Sequence, residues 1–214
     1  MIRIMEAKRL KLAVLASGRG SNLDAIYQAA QRGDLDAEIV ALVSDNPDAP
    51  ALGKARERGI ETLAIKPADF SSRDLYEQQI VAHLQNREVD LVALAGYMRL
   101  VGTGFLKAFR HRLVNIHPAL LPSFTGLNAQ KQALEYGVRF SGCTVHIVDE
   151  GMDTGPIILQ AVVPVWPQDD EDSLSQRILG EEHQIYWRAL QLFAQGRIFL
   201  DGRRVVISEK GEIS

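Results

Sequence analysis

Five short apolar runs, 11–17, 38–44, 61–67, 90–95 and 113–117, alternate with stretches of helical spacing over the first half of the chain. This alternation constrains the fold more than any other feature. A strand with one wet face alternates apolar and polar residues, whereas KLAVLAS, EIVALVS and DLVALA are apolar nearly throughout. Such strands are buried on both faces, which requires a parallel sheet with helices above and below it. The intervening helices are expected from Leu23 onward, over 51–59, over Ser72 to Leu84 and near 103–110. Pro118 halts the fifth strand.

The second half departs from this rhythm. Residues 118–128 are rich in Pro, Ser and Gly and read as a loop, followed by a helix at about 129–136 that Gly137 ends. Two apolar runs, 143–148 and 157–165, flank the acidic loop 149–156 and read as a strand pair. A long helix from about Ser173 to Gln195 and a tail strand, VVIS, complete the reading. The expected fold is therefore α/β and three-layered, with a mostly parallel central sheet and helices on both faces. One domain is expected over 10–214; residues 1–9 form an N-terminal extension without a reading.

With 46% apolar residues the 214-residue chain can build a sizeable core. Its net charge of -3 argues against a nucleic-acid or membrane-surface partner and leaves small molecules as the expected partners, with a monomer or homodimer as the expected state. No run approaches the ~18 apolar residues of a membrane span, and the N-terminus lacks the apolar stretch of a secretory signal. A single cysteine, Cys143, precludes an internal disulfide and fits the cytoplasm.

Four local patterns carry chemistry. Ser17-Gly18-Arg19-Gly20-Ser21-Asn22 joins the first strand to the first helix. Its glycines allow close approach of the backbone to a ligand, and the following helix end can bind phosphate. Ser21 is the expected helix cap, with Asp24 completing a capping box. The alternative is an ordinary strand-to-helix turn. A dinucleotide site is a minority reading, because Leu23 stands where a third glycine belongs, although Asp45 could serve as a ribose-binding acid.

Asn115 and His117 lie two apart at the end of the fifth strand, so they project to one side. Together they offer an amide donor and a titratable ring, as an oxyanion and a proton transfer require. A buried, hydrogen-bonded pair is the competing reading. Asp149, Glu150 and Asp153 crowd carboxylates into one loop without a metal-ligand spacing, so no metal is expected. Glu182 falls on the apolar stripe of the last helix, where an unpaired carboxylate is costly; pairing with Arg177 or His183 is the structural alternative. Cys143 and His146 on a core strand are read as packing residues.

The ordered segments Asn115-Ile116-His117-Pro118-Ala119-Leu120-Leu121-Pro122, Gly126, Gln132-Ala133-Leu134 and Asp153-Thr154-Gly155-Pro156-Ile157-Ile158, with the glycine turn at the start, resemble the 10-formyltetrahydrofolate-dependent formyltransferase family over about residues 10–200. The resemblance implies a single α/β domain with a Rossmann-like N-terminal half. It points to the branch that formylates the amine of glycinamide ribonucleotide in purine biosynthesis, with 10-formyltetrahydrofolate as co-substrate. It makes Asn115, His117 and Asp153 the catalytic trio, with Asp153 keeping His117 cationic. It gives Gly20, Ser21, Asn22 and Glu182 to the ribonucleotide. It gives Arg73, Met98, Arg99, Leu100, Val101 and the loop Asp149, Glu150, Gly151, Met152, Asp153 to the folate, together with Asn115. Ala119, Asn128 and Gln130 depart from patterns common in that family and receive no role. Two relatives with the same trio compete: a formyltetrahydrofolate hydrolase, which usually carries a further N-terminal domain, and a methionyl-tRNA formyltransferase, which adds a C-terminal RNA-binding domain. A nonenzymatic nucleotide-binding module is the rival from another class, and it would leave the trio unexplained.

Overall fold

The computed structural model describes residues 1–209; the end of the expected domain, 210–214, lies outside the described residues. In chain order the elements are β1 (Ile2–Arg3), β2 (Leu10–Leu15), α1 (Ser21–Arg32), β3 (Ala37–Ser44), α2 (Pro50–Glu57), β4 (Glu61–Ala64), α3 (Arg73–Gln85), β5 (Leu91–Leu94), α4 (Thr103–Ala108), β6 (Leu113–His117), α5 (Ala129–Tyr136), β7 (Phe140–Ile147), β8 (Ile157–Pro164), α6 (Glu171–Ala194), β9 (Ile198–Asp201) and β10 (Arg204–Ile207). Seven strands form the main sheet in the order β4-β3-β2-β5-β6-β7-β8. The first five run parallel, and β7 and β8 are antiparallel.

The double-sided burial expected of the apolar runs is visible along β2. Leu10, Leu12 and Val14 pack into one core with Leu23, Ile26, Leu174 and Ile178 from α1 and α6. Ala13 and Leu15, pointing the other way, join Tyr76 and Ile80 of α3, Phe105 of α4 and Phe109 just beyond it. Tyr186 of α6 is fully buried, and its hydroxyl donates to the carbonyls of Leu94 (2.8 Å) and Val114 (3.2 Å). That pair of bonds seats α6 across the ends of β5 and β6 and satisfies a hydroxyl that burial would otherwise penalise.

The chain reverses its direction of sheet growth at β2, with β3 and β4 on one side and β5 and β6 on the other. Open parallel sheets bind ligands outside the carboxyl ends of strands at such a switch point. The glycine turn after β2, the segment 95–102 after β5 and the end of β6 all lie along this edge.

Two local expectations need correction. The cap of α1 is Gly20, with φ 72°, and no side chain caps the helix; Ser21 is already its first helical residue. The left-handed turn at Gly20 places Ser21 inside the helix, where its hydroxyl cannot reach back. Asp24 completes no capping box; its carboxylate instead pairs with Lys54 (2.5 Å) and Arg58 (2.6 Å). Residues 2–3 also have a structural place. β1 and β10 flank β9 in a small antiparallel sheet, and the tail strand is one member of that hairpin.

Candidate active site

Pairing between β6 and β7 sets opposite each other the residues that build the centre of the site. Asn115 faces His146, and His117 faces Thr144. Thr144 is buried and its hydroxyl donates to the Ala119 carbonyl (2.7 Å) while accepting from the Leu121 N–H (3.0 Å), so it ties down the chain immediately after His117. The loop then returns Phe124 to the ring: His117 Nε2 lies 2.8 Å from the Phe124 carbonyl oxygen. From the acidic loop, Asp153 adopts a left-handed backbone, φ 55°, and brings Oδ2 to 3.3 Å from His117 Nδ1.

Both nitrogens of His117 thus face oxygen acceptors, and the ring is fully paired only as a cation. Burial acts the other way. It pulls the His117 pKa below the usual histidine value, against the Phe124 carbonyl and the Asp153 charge, which raise it; neighbouring His146 adds to the lowering. Asp153 therefore acts in the expected direction, raising the His117 pKa, while burial outweighs it. The Asp153 carboxyl itself is pushed up by burial, but His146, the Gly126 N–H (2.8 Å) and His117 outweigh this and hold it below the ordinary range.

His146 belongs to this cluster, which corrects its reading as a packing residue. Its Nδ1 lies 3.0 Å from the Ile147 carbonyl and must carry the proton there. Its Nε2 faces the Asn115 amide nitrogen at 3.2 Å and Asp153 Oδ1 at 3.7 Å. This fixes the Asn115 amide and leaves it a second N–H. A signal existed in the sequence: Thr144 and His146 recur on one face of β7, opposite the apolar face of Cys143, Val145 and Ile147. Cys143 is a packing residue as expected, fully buried, with its thiol pushed up to about 12.

The other two acids of the loop stay apart. Asp149 Oδ1 accepts from Thr154 Oγ1 (2.6 Å) and from the Gly151 N–H (3.2 Å), closing the loop on itself, and Glu150 is exposed. Met152 lies half-exposed against Gly126. Among the described residues no group of three or more His, Cys, Asp or Glu side chains could hold a metal ion, and no helix is long and apolar enough to cross a membrane.

At the turn after β2, Gly20 abuts α2, and a Cβ there would lie 2.8 Å from the Ala51 Cβ. Asn22 and Glu182 are both buried and meet: Asn22 Nδ2 donates to Glu182 Oε2 at 2.8 Å. Neither Arg177 nor His183 supplies Glu182 with a partner; Arg177 pairs with Asp169 at 2.7 Å. With no cation beside it among the described residues, burial raises the Glu182 carboxyl to about 7, although the Asn22 bond lowers it. Asn22 Oδ1 is buried without a hydrogen-bond partner among the described residues. The pair is therefore incompletely satisfied, as a site that expects a polar ligand would be.

The segment after β5 is pinned from two sides. Arg73 donates from Nη2 to the Leu100 carbonyl (2.5 Å), and the Gly102 N–H donates to Glu77 (2.7 Å). Asp45 is not free for a ribose; it holds Arg99 (2.8 Å) and Ser17 (2.5 Å). Met98 and Leu100 are mostly exposed, and Val101 packs on the α3–α4 core.

Residues 10–190 match the family model described as formyl transferase. The chain belongs to the formyl transferase family. It is 47% identical over 91% of its length to the trifunctional purine biosynthetic protein adenosine-3 of Drosophila melanogaster, and spans 14% of that much longer relative. It is 44% identical to the phosphoribosylglycinamide formyltransferase of Bacillus subtilis, over 82% of this chain and 90% of that one. The crystal structure of glycinamide ribonucleotide transformylase 1 from Symbiobacterium toebii superposes with a TM-score of 0.92 at 49% identity, covering 94% of each chain.

Proposed function

We propose that this formyl transferase moves the formyl group of 10-formyltetrahydrofolate to the primary amine of glycinamide ribonucleotide. The observation that carries this reading is the packing of Asn115, His117 and Asp153 around one point, with both His117 nitrogens on acceptors and Asn115 oriented by His146. The similarity to ribonucleotide formyltransferases over nearly their whole length names the acceptor.

The substrate amine attacks the formyl carbon, forming a C–N bond and turning the formyl oxygen into an oxyanion. The free N–H of Asn115 donates to that oxyanion. The attacking nitrogen becomes positive and must lose a proton. Both His117 nitrogens face oxygens, so the Asp153 carboxylate takes it while the ring, 3.3 Å away, holds that carboxylate in place. The proton then passes to the folate N10 as its bond to the formyl carbon breaks. No enzyme nucleophile takes part. Gly20, Ser21 and Asn22 hold the phosphate through the amino end of α1, and Glu182 reads polar atoms of the ribose-glycinamide portion. Arg73, segment 98–101 and the loop 149–153 hold the folate. Both ligands are small soluble molecules, which fits a cytoplasmic monomer or homodimer.

The test is to follow deformylation of 10-formyltetrahydrofolate by the purified chain with and without glycinamide ribonucleotide. Turnover that depends on the ribonucleotide is expected. Equal turnover in its absence would make the chain a hydrolase, and none in either arm would overturn the enzyme reading.

A further inference from the structure

The segment 96–102, on the proposed reading a folate platform, is held residue by residue, but its two sets of anchors differ in what they connect. From α3 come Tyr76, whose hydroxyl meets that of Tyr97 at 2.6 Å, and the Arg73 and Glu77 contacts to Leu100 and Gly102. From the other side come Ser17 and Asp45. The Ser17 N–H donates to the Gly96 carbonyl at 3.1 Å. Its hydroxyl accepts from the Met98 N–H at 3.0 Å and donates to Asp45 Oδ1 at 2.5 Å. The second oxygen of Asp45 accepts from Arg99 Nε at 2.8 Å. The Asp45 side chain is only 10% exposed although its Arg99 partner is 47% exposed, so the carboxylate is fixed at the wall of the site rather than waving in solvent.

We propose that Ser17 and Asp45 form a clamp that sets the folate platform against the phosphate loop, making Asp45 a positioning residue for the folate co-substrate. The inference rests on the proposed folate reading of segment 98–101. Ser17 begins the same turn that Gly20 ends, so a single hydroxyl belongs at once to the ribonucleotide loop and to the platform. Its rotor is fixed by having a donor on one side and a carboxylate on the other. Asp45 makes Ser17 a committed donor and so leaves its lone pair to Met98; charge-assisted bonds of this kind are stronger than neutral ones. With the backbone of Met98 and Arg99 fixed, the exposed apolar side chains of Met98 and Leu100 are presented outward at a constant height, as a flat heteroaromatic ring requires. A wrongly placed platform weakens folate binding and misplaces the formyl carbon relative to the amine.

The test compares wild type, Asp45→Ala, Asp45→Asn and Ser17→Ala in steady-state kinetics with each substrate varied in turn, with calorimetry of tetrahydrofolate. For Asp45→Ala the KM for 10-formyltetrahydrofolate is expected to rise about tenfold, the size of one lost charge-assisted bond, while the KM for ribonucleotide stays within twofold. Asp45→Asn keeps one acceptor oxygen and is expected to recover part of that loss. Hydrogen exchange at the Met98 amide is expected to accelerate in both Asp45→Ala and Ser17→Ala. Equal changes in both KM values, or unchanged folate affinity, would overturn the clamp, since a merely structural loss of active fraction lowers kcat alone and a general distortion does not separate the substrates. A wild-type chain that binds tetrahydrofolate but transfers no formyl group would sink the proposed activity and leave the clamp to be judged by calorimetry and exchange. One that binds no tetrahydrofolate would overturn both.

Discussion

The chain builds its two proposed ligand regions from different material. After β2 the turn is backbone: a glycine at φ 72° replaces a side-chain cap, and helix N–H groups are what it offers an anion. Beyond β6 the centre is side chain: an amide, two imidazoles and a carboxylate, contributed by two antiparallel strands and a loop. The first is local in sequence and depends on one conformational permission. The second spans residues 115 to 153 and depends on register, burial and charge balance. On the proposed reading, a methyl group would damage the binding half of the site, whereas a changed proton affinity would damage the reacting half.

The largest expected effect tests the reacting half. Asp153 sits at φ 55°, a conformation asparagine adopts at little cost, so Asp153→Asn should keep the backbone and remove only the charge. Turnover should fall on the order of 10³-fold, with ribonucleotide affinity unchanged by calorimetry. If the affinity fell instead and kcat held, the carboxylate would be a binding group and the contrast between the halves would dissolve.

Next comes Gly20→Ala, which tests the backbone half. The methyl group would meet Ala51 at 2.8 Å in a left-handed residue. Strain and overpacking together should cost about 2–4 kcal/mol of stability, and ribonucleotide KM should rise more than folate KM. Denaturant melts and paired kinetics check this; a fully stable variant with normal KM values would show that the turn is not conformationally demanding.

The smallest effect concerns Glu182, where the two materials meet. Its folded pKa of about 7 lies above the ordinary 4.5 of a free glutamate. A raised folded pKa means that its neutral form is favoured in the native state. The associated stability is complete below pH 4.5, declines as the pH rises and is lost above about 7. The loss amounts to about 3 kcal/mol. Glu182→Gln should therefore raise Tm by several degrees at pH 8 and leave it nearly unchanged at pH 4.5, while weakening ribonucleotide binding. An equal Tm shift at both pH values would remove titration of Glu182 as the cause.

Much of the architecture was legible because hydrophobic periodicity is local. The buried strands β2, β3, β5 and β6 and the helices between them lie within a few residues of the expected runs. Asn115 and His117 were readable as a same-side pair because strand geometry alone puts them together. The choice of Asp153 over Asp149 and Glu150 came from family resemblance; nothing local distinguishes three acids in one loop, and only the folded loop shows Asp149 turned onto Thr154. His146 escaped because its role comes from cross-strand register with Asn115, and register is a tertiary fact. Ser17 and Asp45 were singled out as part of the glycine turn and as a possible ribose-binding acid, but their bonds to segment 98–99 were not legible, because those partners lie 54 to 81 positions away. Ser21 was misread as a cap because composition cannot report the φ angle of the residue before it.

The small sheet of β1, β9 and β10 has a consequence for how the polypeptide may be connected. Its first and last strands flank a common neighbour, so they stand about 10 Å apart at ordinary strand spacing. β9 therefore ties residues near the two ends of the described chain together through backbone hydrogen bonds, and loss of either β1 or β10 would expose one of its edges.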